Sequence, residues 1–416
     1  MNNIKKKAIE IKQQLSMYFW DHFDPIYRIY VSYRGPKIRQ KEQIKVLFVI
    51  AELGAWKTES LYLEMKNHPR FNALLGVTTS MEVPGSKQPL QAYLDQKGYP
   101  YIDLDEDRKS VSKISPDLLF YYKPYDGSYP SQHLFKKHIP SLPCFLNYAF
   151  TSMGNKLYVT AQICNYSWFV FVENELVAKR KREVIGWRAN NVRVTGIPMQ
   201  DNLLDAQKHS NNPWDDKTGR KRIIYAPHHS FKGTNGGGKE TGTEYATFLE
   251  FGEFMLQLAE KYRDKAVFAF KPHPTLYVKL LKIWGKEKTD AYYNEWKSRE
   301  YTQYCPGEYT GLFMHSDAMI HDCGSFQIEY HYTHNPVMFL DAANYRMEDQ
   351  NEFGRLAFKM HYRGRNEEDI ERFLQNVIQG VDPMKAERDE FYHQYLLPPN
   401  GKRASENIID TILGNS

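Results

Sequence analysis

Two apolar runs in the sequence, each typical of a buried strand, end in proline followed by histidine. They are RIIYAPHHS and AVFAFKPHP. A neutral imidazole can accept a proton or donate a hydrogen bond to a phosphate oxygen, and a nearby lysine adds positive charge. A lone histidine usually bonds only a loop carbonyl, but histidines at two equivalent strand ends favour a site. We therefore identify His228, His229 and His273 as candidate catalytic residues and Lys271 as a candidate phosphate contact.

A second candidate lies in SDAMIHDCGSFQIEY, where an apolar strand ends at Asp322 and a Gly-Ser pair begins a helix. Main-chain N–H groups at such a helix start, with Gly324 allowing close approach, can bind phosphate oxygens, and the Ser325 hydroxyl adds a donor. Glu329 follows Ser325 by four residues, so it shares a helix face and could accept hydrogen bonds from two ribose hydroxyls. The alternative is an ordinary strand–turn–helix capped by Asp322. Taken with the histidine segments, the pattern favours a nucleotide site, and we assign nucleotide binding to Asp322, Gly324, Ser325 and Glu329.

Metal chemistry has little support in the sequence. The segment DLDED at 103–107 has the D-x-D spacing that holds a divalent ion in some transferases, but it lies far from the Gly-Ser segment. A solvated acidic loop is the better interpretation. The four cysteines form no C-x-x-C pair, and no H-E-x-x-H, G-x-S-x-G or Walker A pattern occurs. We expect no metal ligands and no disulfide framework.

Alternating strands and helices must position these residues. Runs such as IKVLFVI and AVFAF are typical of strands buried on both faces of a parallel sheet. Their alternation with helical patterns predicts an α/β fold, and 416 residues suit two doubly wound, Rossmann-like domains. Two such domains facing each other would bind ligands at the carboxyl ends of their strands. The predicted limits are an N-terminal helical extension (1–43), a first domain (44–199), a polar linker (200–220) and a second domain (221–416).

The N-terminal segment holds the whole net charge of the chain. Residues 1–43 contain nine Lys and Arg against four Asp and Glu, which equals the total of +5. The basic and aromatic composition of residues 4–20 predicts a helix on an anionic membrane surface, within residues 1–24, and residues 25–43 are predicted as a connector. The alternative is a helix packed on the protein's own body.

Charge and hydropathy also bear on partners and location. A chain body without excess positive charge argues against nucleic acid as a partner. No apolar run approaches the length of a membrane span, and charged residues interrupt the start of the chain where a signal peptide would be apolar. The sequence therefore predicts a cytoplasmic protein that is peripheral on the inner face of the cell membrane if its first segment binds lipid.

These segments resemble the CDP-glycerol glycerophosphotransferase family, the teichoic-acid primases and polymerases. The resemblance covers roughly residues 45–413 and is strongest over 220–341, in YAPHHS, AFKPHP and SDAMIHDCGSFQIEY. The family block S-D-x-x-I-T-D-Y-S-S corresponds to SDAMIHDCGS, and its following acid falls on Glu329. The resemblance implies the glycosyltransferase-B fold, with an acceptor domain over 44–199 and a nucleotide-donor domain over 221–416.

Two family motifs differ in this chain. The family's W-H-G-T, whose histidine is taken as the catalytic base, falls on residues 148–151, which read Y-A-F-T. The family's A-P-T-W-R is A-P-H-H-S here, without the arginine. The general base is therefore open between His228 and His229.

The resemblance implies a transferase that moves glycerophosphate, or a related alditol phosphate, from a CDP-activated donor, most simply CDP-glycerol. The acceptor would be a hydroxyl of a lipid-linked or polymer chain in cell-wall or capsule synthesis. That hydroxyl would attack the β-phosphorus and expel CMP, with no cofactor required beyond the nucleotide-activated donor itself. The alternatives are a glycosyltransferase of the same fold using a UDP- or GDP-sugar, and a noncatalytic scaffold that binds polymer or membrane.

Overall fold

The computed structural model describes residue 23 and residues 25–154, 161–231, 246–341 and 349–415. Within these ranges the chain forms two compact units. The first takes the described residues up to Tyr148, those from 161 to Pro198, and those from Lys402 onward; the second takes 149–154 and Met199–Gly401. No helix in the described ranges is both long and apolar enough to cross a bilayer.

The first unit is built on a seven-stranded sheet whose named strand pairs are all parallel, in the order β3-β2-β1-β4-β5-β6-β7. Its strands are β1 (Ile44–Ile50), β2 (Phe71–Val77), β3 (Tyr101–Asp103), β4 (Leu118–Tyr121), β5 (Leu142–Leu146), β6 (Phe169–Val172) and β7 (Val192–Val194). The strand order reverses between β1 and β4, and ligands of such sheets bind beside the carboxyl ends of the strands at that point.

Helices alternate with these strands. They cover 25–39, Glu59–Asn67, Lys87–Lys97, Ser110–Ile114, Gln162–Tyr166, Glu175–Ile185 and Ala404–Leu413.

The second unit repeats the architecture with a six-stranded parallel sheet in the order β10-β9-β8-β11-β12-β13. Its strands are β8 (Lys221–Ala226), β9 (Ala266–Phe270), β10 (Thr302–Tyr304), β11 (Ala318–His321), β12 (Val337–Leu340) and β13 (Tyr362–Gly364). The order reverses between β8 and β11, so the carboxyl ends of these two strands mark the place where a ligand is expected.

The helices of the second unit complete its layers. They are Pro198–His209, Phe248–Lys261, Leu276–Ile283, Lys286–Ser298, Thr310–Met314, Phe326–Glu329, Glu352–Lys359, Glu367–Gln379 and Lys385–Phe391.

The second sheet is buried on both faces, which explains the continuous apolar runs of its strands. Along β8, Ile223 and Tyr225 belong to one core cluster, whereas Ile224 and Ala226 belong to the cluster on the opposite face. A strand covered by helices on both sides needs apolar residues at every position. The predicted α/β class and the two doubly wound sheets are thereby confirmed.

The observed limits of the units differ from the predicted domains. Residues 200–209, predicted as part of a linker, continue a helix that begins at Pro198 and lies in the second unit. The C-terminal helix Ala404–Leu413, predicted in the second domain, lies in the first unit. Arg39 donates there to the main-chain oxygens of Thr411 and Ile412, both at 2.9 Å. A C-terminal helix that packs on the first unit is held by contacts between segments far apart in the chain. The local sequence pattern therefore does not indicate to which unit it belongs.

The extension also differs in part from its prediction. Residues 25–39, predicted as a connector, are helical, and Tyr27 on this helix is buried against Tyr166 of the first unit. The helix is therefore part of that unit. The segment predicted to lie on a membrane, residues 1–24, falls outside the described residues except for Phe23.

Candidate nucleotide and phosphate site

Three histidines of the second unit meet at the carboxyl edge of its sheet. His228 and His229 follow β8, and His273 follows β9. Their ring centroids are 4.1 Å apart for His229 and His273, 4.4 Å for His228 and His229, and 5.0 Å for His228 and His273. Because adjacent parallel strands end at one edge, these two separate segments of the sequence meet here.

Burial keeps these imidazoles neutral. Burial, with the positive charge of Lys279 added, lowers the pKa of His228 to about 2 and those of His229 and His273 to about 4. Lys279 lies on the helix that begins just after His273. Neutral rings beside a lysine accept an anion without the cost of a buried positive cluster.

The hydrogen bonds of His273 define which of its ring nitrogens carries the proton. The main-chain N–H of Thr275 donates to its Nδ1 over 3.1 Å. Nδ1 is therefore an acceptor, and in the neutral ring the proton sits on Nε2. His273 thus presents an N–H donor, which is the group that a phosphate oxygen needs.

Asp322 anchors the edge where the strand order reverses. It is fully buried after β11 and accepts hydrogen bonds from the main-chain N–H of His228 at 2.5 Å and from the N–H and hydroxyl of Thr247 at 2.6 and 2.9 Å. Burial raises its pKa to about 6, although these hydrogen bonds favour the ionised form. Asp322, predicted among the nucleotide-binding residues, therefore holds the histidine loop in place and does not itself face solvent.

The Gly-Ser segment begins a shorter helix than the sequence predicted. The α-helix covers only Phe326–Glu329 and passes into a 3₁₀ turn over Tyr330–Thr333. Ser325 is exposed at its start, Gly324 is half-buried, and the main-chain N–H groups of Ser325 and Phe326 point to the sulfur of Cys323. A buried thiol is a weak acceptor, so a phosphate oxygen could compete for these donors.

Glu329 is buried one turn into this helix. Its Oε2 accepts a hydrogen bond from the hydroxyl of Tyr309 over 2.5 Å. The ring of Tyr309 also lies 5.8 Å from Nζ of Lys271, which is buried at the end of β9. Tyr309 therefore contacts both Glu329, the residue predicted to bind the ribose, and Lys271, the residue predicted to bind phosphate.

The three histidines are also the one group in the described residues whose side chains could hold a metal ion. One ring nitrogen of each lies within 4.8 Å of the others. A metal at Nε2 of His273 would require the ring proton to move to Nδ1, where the N–H of Thr275 already points. The hydrogen bonds thus suit an anion better than a cation.

Sequence reasoning did not identify Thr247, Lys279 or Tyr309. Lys279 could have been found from helical spacing, because it lies one turn into the helix that follows the K-P-H-P segment. Thr247 and Tyr309 are 75 and 20 residues from the carboxylates they bind. No local pattern indicates such contacts.

The acidic segment at 103–107 differs from its prediction as a solvated loop. Asp105 accepts hydrogen bonds from the hydroxyls of Thr78 and Thr79, both at 2.7 Å, and from Nζ of Lys87 at 2.9 Å, which also contacts Asp103 at 2.6 Å. These bonds hold the pKa of Asp105 well below its ordinary value against the effect of burial. The segment is an ordered ion-pair network that ties together the ends of β2 and β3.

Comparison with known proteins identifies a family for most of the chain. The family model described as CDP-glycerol:poly(glycerophosphate) glycerophosphotransferase matches residues 149–414. No curated protein sequence matches the chain.

Solved structures show the fold. A wall teichoic acid polymerase, TagF, matches with a TM-score of 0.52 and 15% identity, covering 100% of this chain and 98% of its own. A putative UDP-N-acetylglucosamine 2-epimerase from Listeria monocytogenes has a TM-score of 0.61 and 16% identity over 90% of this chain and 96% of its own. The Neisseria meningitidis UDP-GlcNAc 2-epimerase bound to UDP-GlcNAc gives 0.58 and 17%, over 89% and 100%. The chain thus has a glycosyltransferase-B-like fold.

Proposed function

The chain belongs to the CDP-glycerol:poly(glycerophosphate) glycerophosphotransferase family, and from that premise we propose that it transfers glycerophosphate from CDP-glycerol to a hydroxyl of a growing polymer or lipid-linked acceptor. The observation that carries the proposal is the cluster of three neutral histidines at the reversal point of the second sheet, with Lys279 and Lys271 near it. Neutral N–H donors and lysines at that point suit the pyrophosphate of a nucleotide-activated donor.

Each residue has a role in this proposal. His273 donates its Nε2–H to a phosphate oxygen, and Lys271 and Lys279 balance the charge that develops on the leaving CMP. Glu329, held by Tyr309, binds the ribose hydroxyls, and Ser325 with the N–H groups after it binds a phosphate oxygen. Catalysis then depends on positioning and on charge stabilisation of the phosphates.

The arrangement has a consequence for protonation. A bound dianionic pyrophosphate raises the proton affinity of the imidazoles it touches, because an adjacent negative charge favours the protonated ring. The imidazoles of His228 and His229 should therefore bind a proton more readily in the donor complex than in the free protein.

We further propose that the acceptor is a polymer or membrane-linked hydroxyl compound and that residues 1–24 hold the protein to the anionic inner surface of the membrane. The four lysines of this segment, Lys5, Lys6, Lys7 and Lys12, support this.

The test is a thermal-shift series with CDP, UDP and GDP, followed by CMP release from CDP-glycerol. A ligand that binds only the native state raises the melting temperature by mass action. We expect CDP to stabilise the protein more than UDP or GDP, and CMP to be released when an acceptor is supplied. Stabilisation by UDP without CDP would point to a sugar transferase, and no response to any nucleotide would contradict the proposed function.

A further inference from the structure

An apolar stripe runs along the outward side of the helix over residues 25–39, which belongs to the first unit. The opposite side of this helix packs on the unit, where Tyr27 is 2% exposed. Ile26, Ile29 and Tyr33 are instead 61%, 72% and 61% exposed. Their spacing of three and four residues places them in one row on the helix. Single exposed apolar side chains are ordinary, but such a row indicates a surface that binds an apolar partner.

Trp187 adds to this apolar surface beside the helix. It lies in the 3₁₀ turn Gly186–Asn191 and is 57% exposed. The guanidinium carbon of Arg28 lies 5.7 Å from the centre of the Trp187 ring, and Nη2 of Arg28 donates to the main-chain oxygen of Arg188 at 3.1 Å. These contacts hold the turn against the helix. Tryptophan, with an apolar ring and one N–H donor, is suited to the boundary between lipid headgroups and acyl chains.

The segments around this surface carry positive charge only. Residues 25–39, 135–140 and 186–191 together contain seven Lys and Arg and no Asp or Glu. Residues 135–140 adjoin the helix, because the hydroxyl of Tyr30 donates to the main-chain oxygen of Pro140 at 3.1 Å. An apolar surface surrounded by cations is complementary to a layer with anionic headgroups above acyl chains.

The cations of the helix differ in the direction that they face. Arg34 turns inward and pairs with the buried Asp117 at 3.1 Å. Lys37 is exposed, one turn after Tyr33, and its Nζ lies 3.8 Å from the centre of the Tyr33 ring. Lys37 therefore places a positive charge next to the apolar row itself.

We propose that the outer face, formed by Ile26, Ile29, Tyr33 and Trp187, docks on the surface of an anionic phospholipid bilayer. Its apolar side chains enter the boundary between headgroups and acyl chains, and Lys37 meets the anionic headgroups.

This inference rests on the membrane attachment in the proposed function but not on the transfer reaction. It goes beyond attachment by residues 1–24, because the outer face is a folded part of the first unit. Stable attachment of a peripheral protein takes two signals, and the outer face supplies the second. A folded face also fixes the orientation of the first unit on the bilayer.

The test is sedimentation of the full-length protein with vesicles of phosphatidylcholine and phosphatidylserine. The double variant Ile26→Ser, Ile29→Ser should bind at least tenfold more weakly, because it removes apolar surface that lipid would bury. The matched control is Leu249→Ser, Val278→Ser, which replaces side chains of the second unit that are 47% and 52% exposed. The control should bind as the wild type does, and both double variants should keep the wild-type melting temperature.

A second variant tests the charge. Lys37→Gln should weaken binding to these vesicles about fivefold at low ionic strength, since a Lys near an anionic leaflet contributes about 1 kcal/mol. The difference from the wild type should disappear at high salt, where the charge is screened. Lys282→Gln, at an exposed position of the second unit, is the control and should change neither result.

Three outcomes would count against parts of this scheme. Wild-type affinity of I26S/I29S for the vesicles would overturn docking by the outer face, and loss of binding on deletion of residues 1–24 would then show that this segment acts alone. A wild-type protein that dimerises without lipid, with I26S/I29S monomeric, would show that a second copy covers the face and would overturn the lipid assignment. Failure to release CMP from CDP-glycerol would contradict the proposed transfer reaction, whatever the vesicle result.

Discussion

The buried carboxylate of Asp322 accepts the main-chain N–H of His228 over 2.5 Å and thereby ties the end of β11 to the loop after β8. The same carboxylate accepts two hydrogen bonds from Thr247. A fully buried carboxylate thus holds in place the loop that carries His228 and His229.

Asp322→Asn should destabilise the protein, because the amide group would turn a donor toward the N–H groups that the carboxylate now accepts. A buried donor left without a partner costs about 1–3 kcal/mol. We expect a loss of that size in the free energy of unfolding, measured by urea denaturation, and weaker binding of CDP. Asp264→Asn, at an exposed position, is the control and should leave both quantities unchanged. Wild-type stability in D322N would show that the anchoring role is wrong.

Acid should destabilise the second unit through a separate group of buried histidines. The rings of His321 and His361 lie 5.2 Å apart and those of His331 and His361 lie 4.9 Å apart. Burial, with the charge of Arg388 added, lowers the pKa of His331 to about 3. The unfolded chain binds this proton near its ordinary pKa of 6.5, so the contribution to stability is complete above that pH and is lost as the pH falls toward 3.

This difference in proton binding predicts how the pH dependence of the free energy of unfolding changes when His331 is replaced. His331→Gln can keep the hydrogen bond to the Ala357 oxygen that His331 makes at 3.2 Å but cannot titrate. Its free energy of unfolding between pH 6.5 and pH 4.5 should therefore fall less steeply than that of the wild type, by up to about 1.4 kcal/mol per pH unit. The exposed His209 provides the control, since His209→Gln should leave the slope as it is. If the free energy of unfolding of H331Q falls with pH as steeply as that of the wild type, His331 does not contribute to the loss of stability in acid.

Tyr309→Phe should weaken donor binding through Glu329. Loss of the hydroxyl removes the 2.5 Å bond that orients this carboxylate, and one hydrogen bond to a charged group is worth about 1.5–3 kcal/mol. We expect the KM for CDP-glycerol to rise about tenfold or more with kcat less affected. A 2′,3′-dideoxy donor should lose little further in this variant, because the lost contact is the same.

The matched control is Tyr262→Phe, which removes a hydroxyl that donates to Glu371 at 2.6 Å, away from the proposed site. Additive losses with the dideoxy donor in the Tyr309 variant would mean that Glu329 does not bind the ribose.

Ser325→Ala tests the phosphate contact at the Gly-Ser segment. The hydroxyl is exposed, and a hydrogen bond from it to a phosphate oxygen would contribute about 1–2 kcal/mol. Isothermal titration with CDP should therefore show roughly 5- to 30-fold weaker binding. Ser298→Ala, exposed at the end of another helix, should bind CDP as the wild type does. Equal affinity in both variants would show that Ser325 does not touch the donor.

Deletion of residues 1–24 tests membrane attachment. Each Lys or Arg near an anionic leaflet is worth about 1 kcal/mol, so the truncated protein should no longer sediment with phosphatidylserine vesicles, and wild-type binding should weaken with salt. Activity on a soluble acceptor should persist. Vesicle binding at background in both forms, with a lower melting temperature after truncation, would favour a helix packed on the protein itself.

The sequence by itself determined the two α/β sheets and most residues of the candidate site. Strands buried on both faces need continuous apolar residues, and the ends of parallel strands share an edge. For these reasons the R-I-I-Y and A-V-F-A-F runs placed His228, His229 and His273 at equivalent strand ends, where their rings lie close together. The strands β3, β10 and β13 have three residues each, which is too few for the pattern of apolar residues to identify a strand.

Only the tertiary structure decided which segments far apart in the chain come into contact. The C-terminal helix joins the first unit, Tyr309 meets Glu329, and Glu52 shares a buried lysine with Glu82. Such contacts come from the packing of segments far apart in the chain, and no local pattern encodes them. Burial then changes the chemistry, since it lowers the pKa of His228 to about 2 and raises that of Asp322 to about 6, because desolvation penalises the charged form of each group.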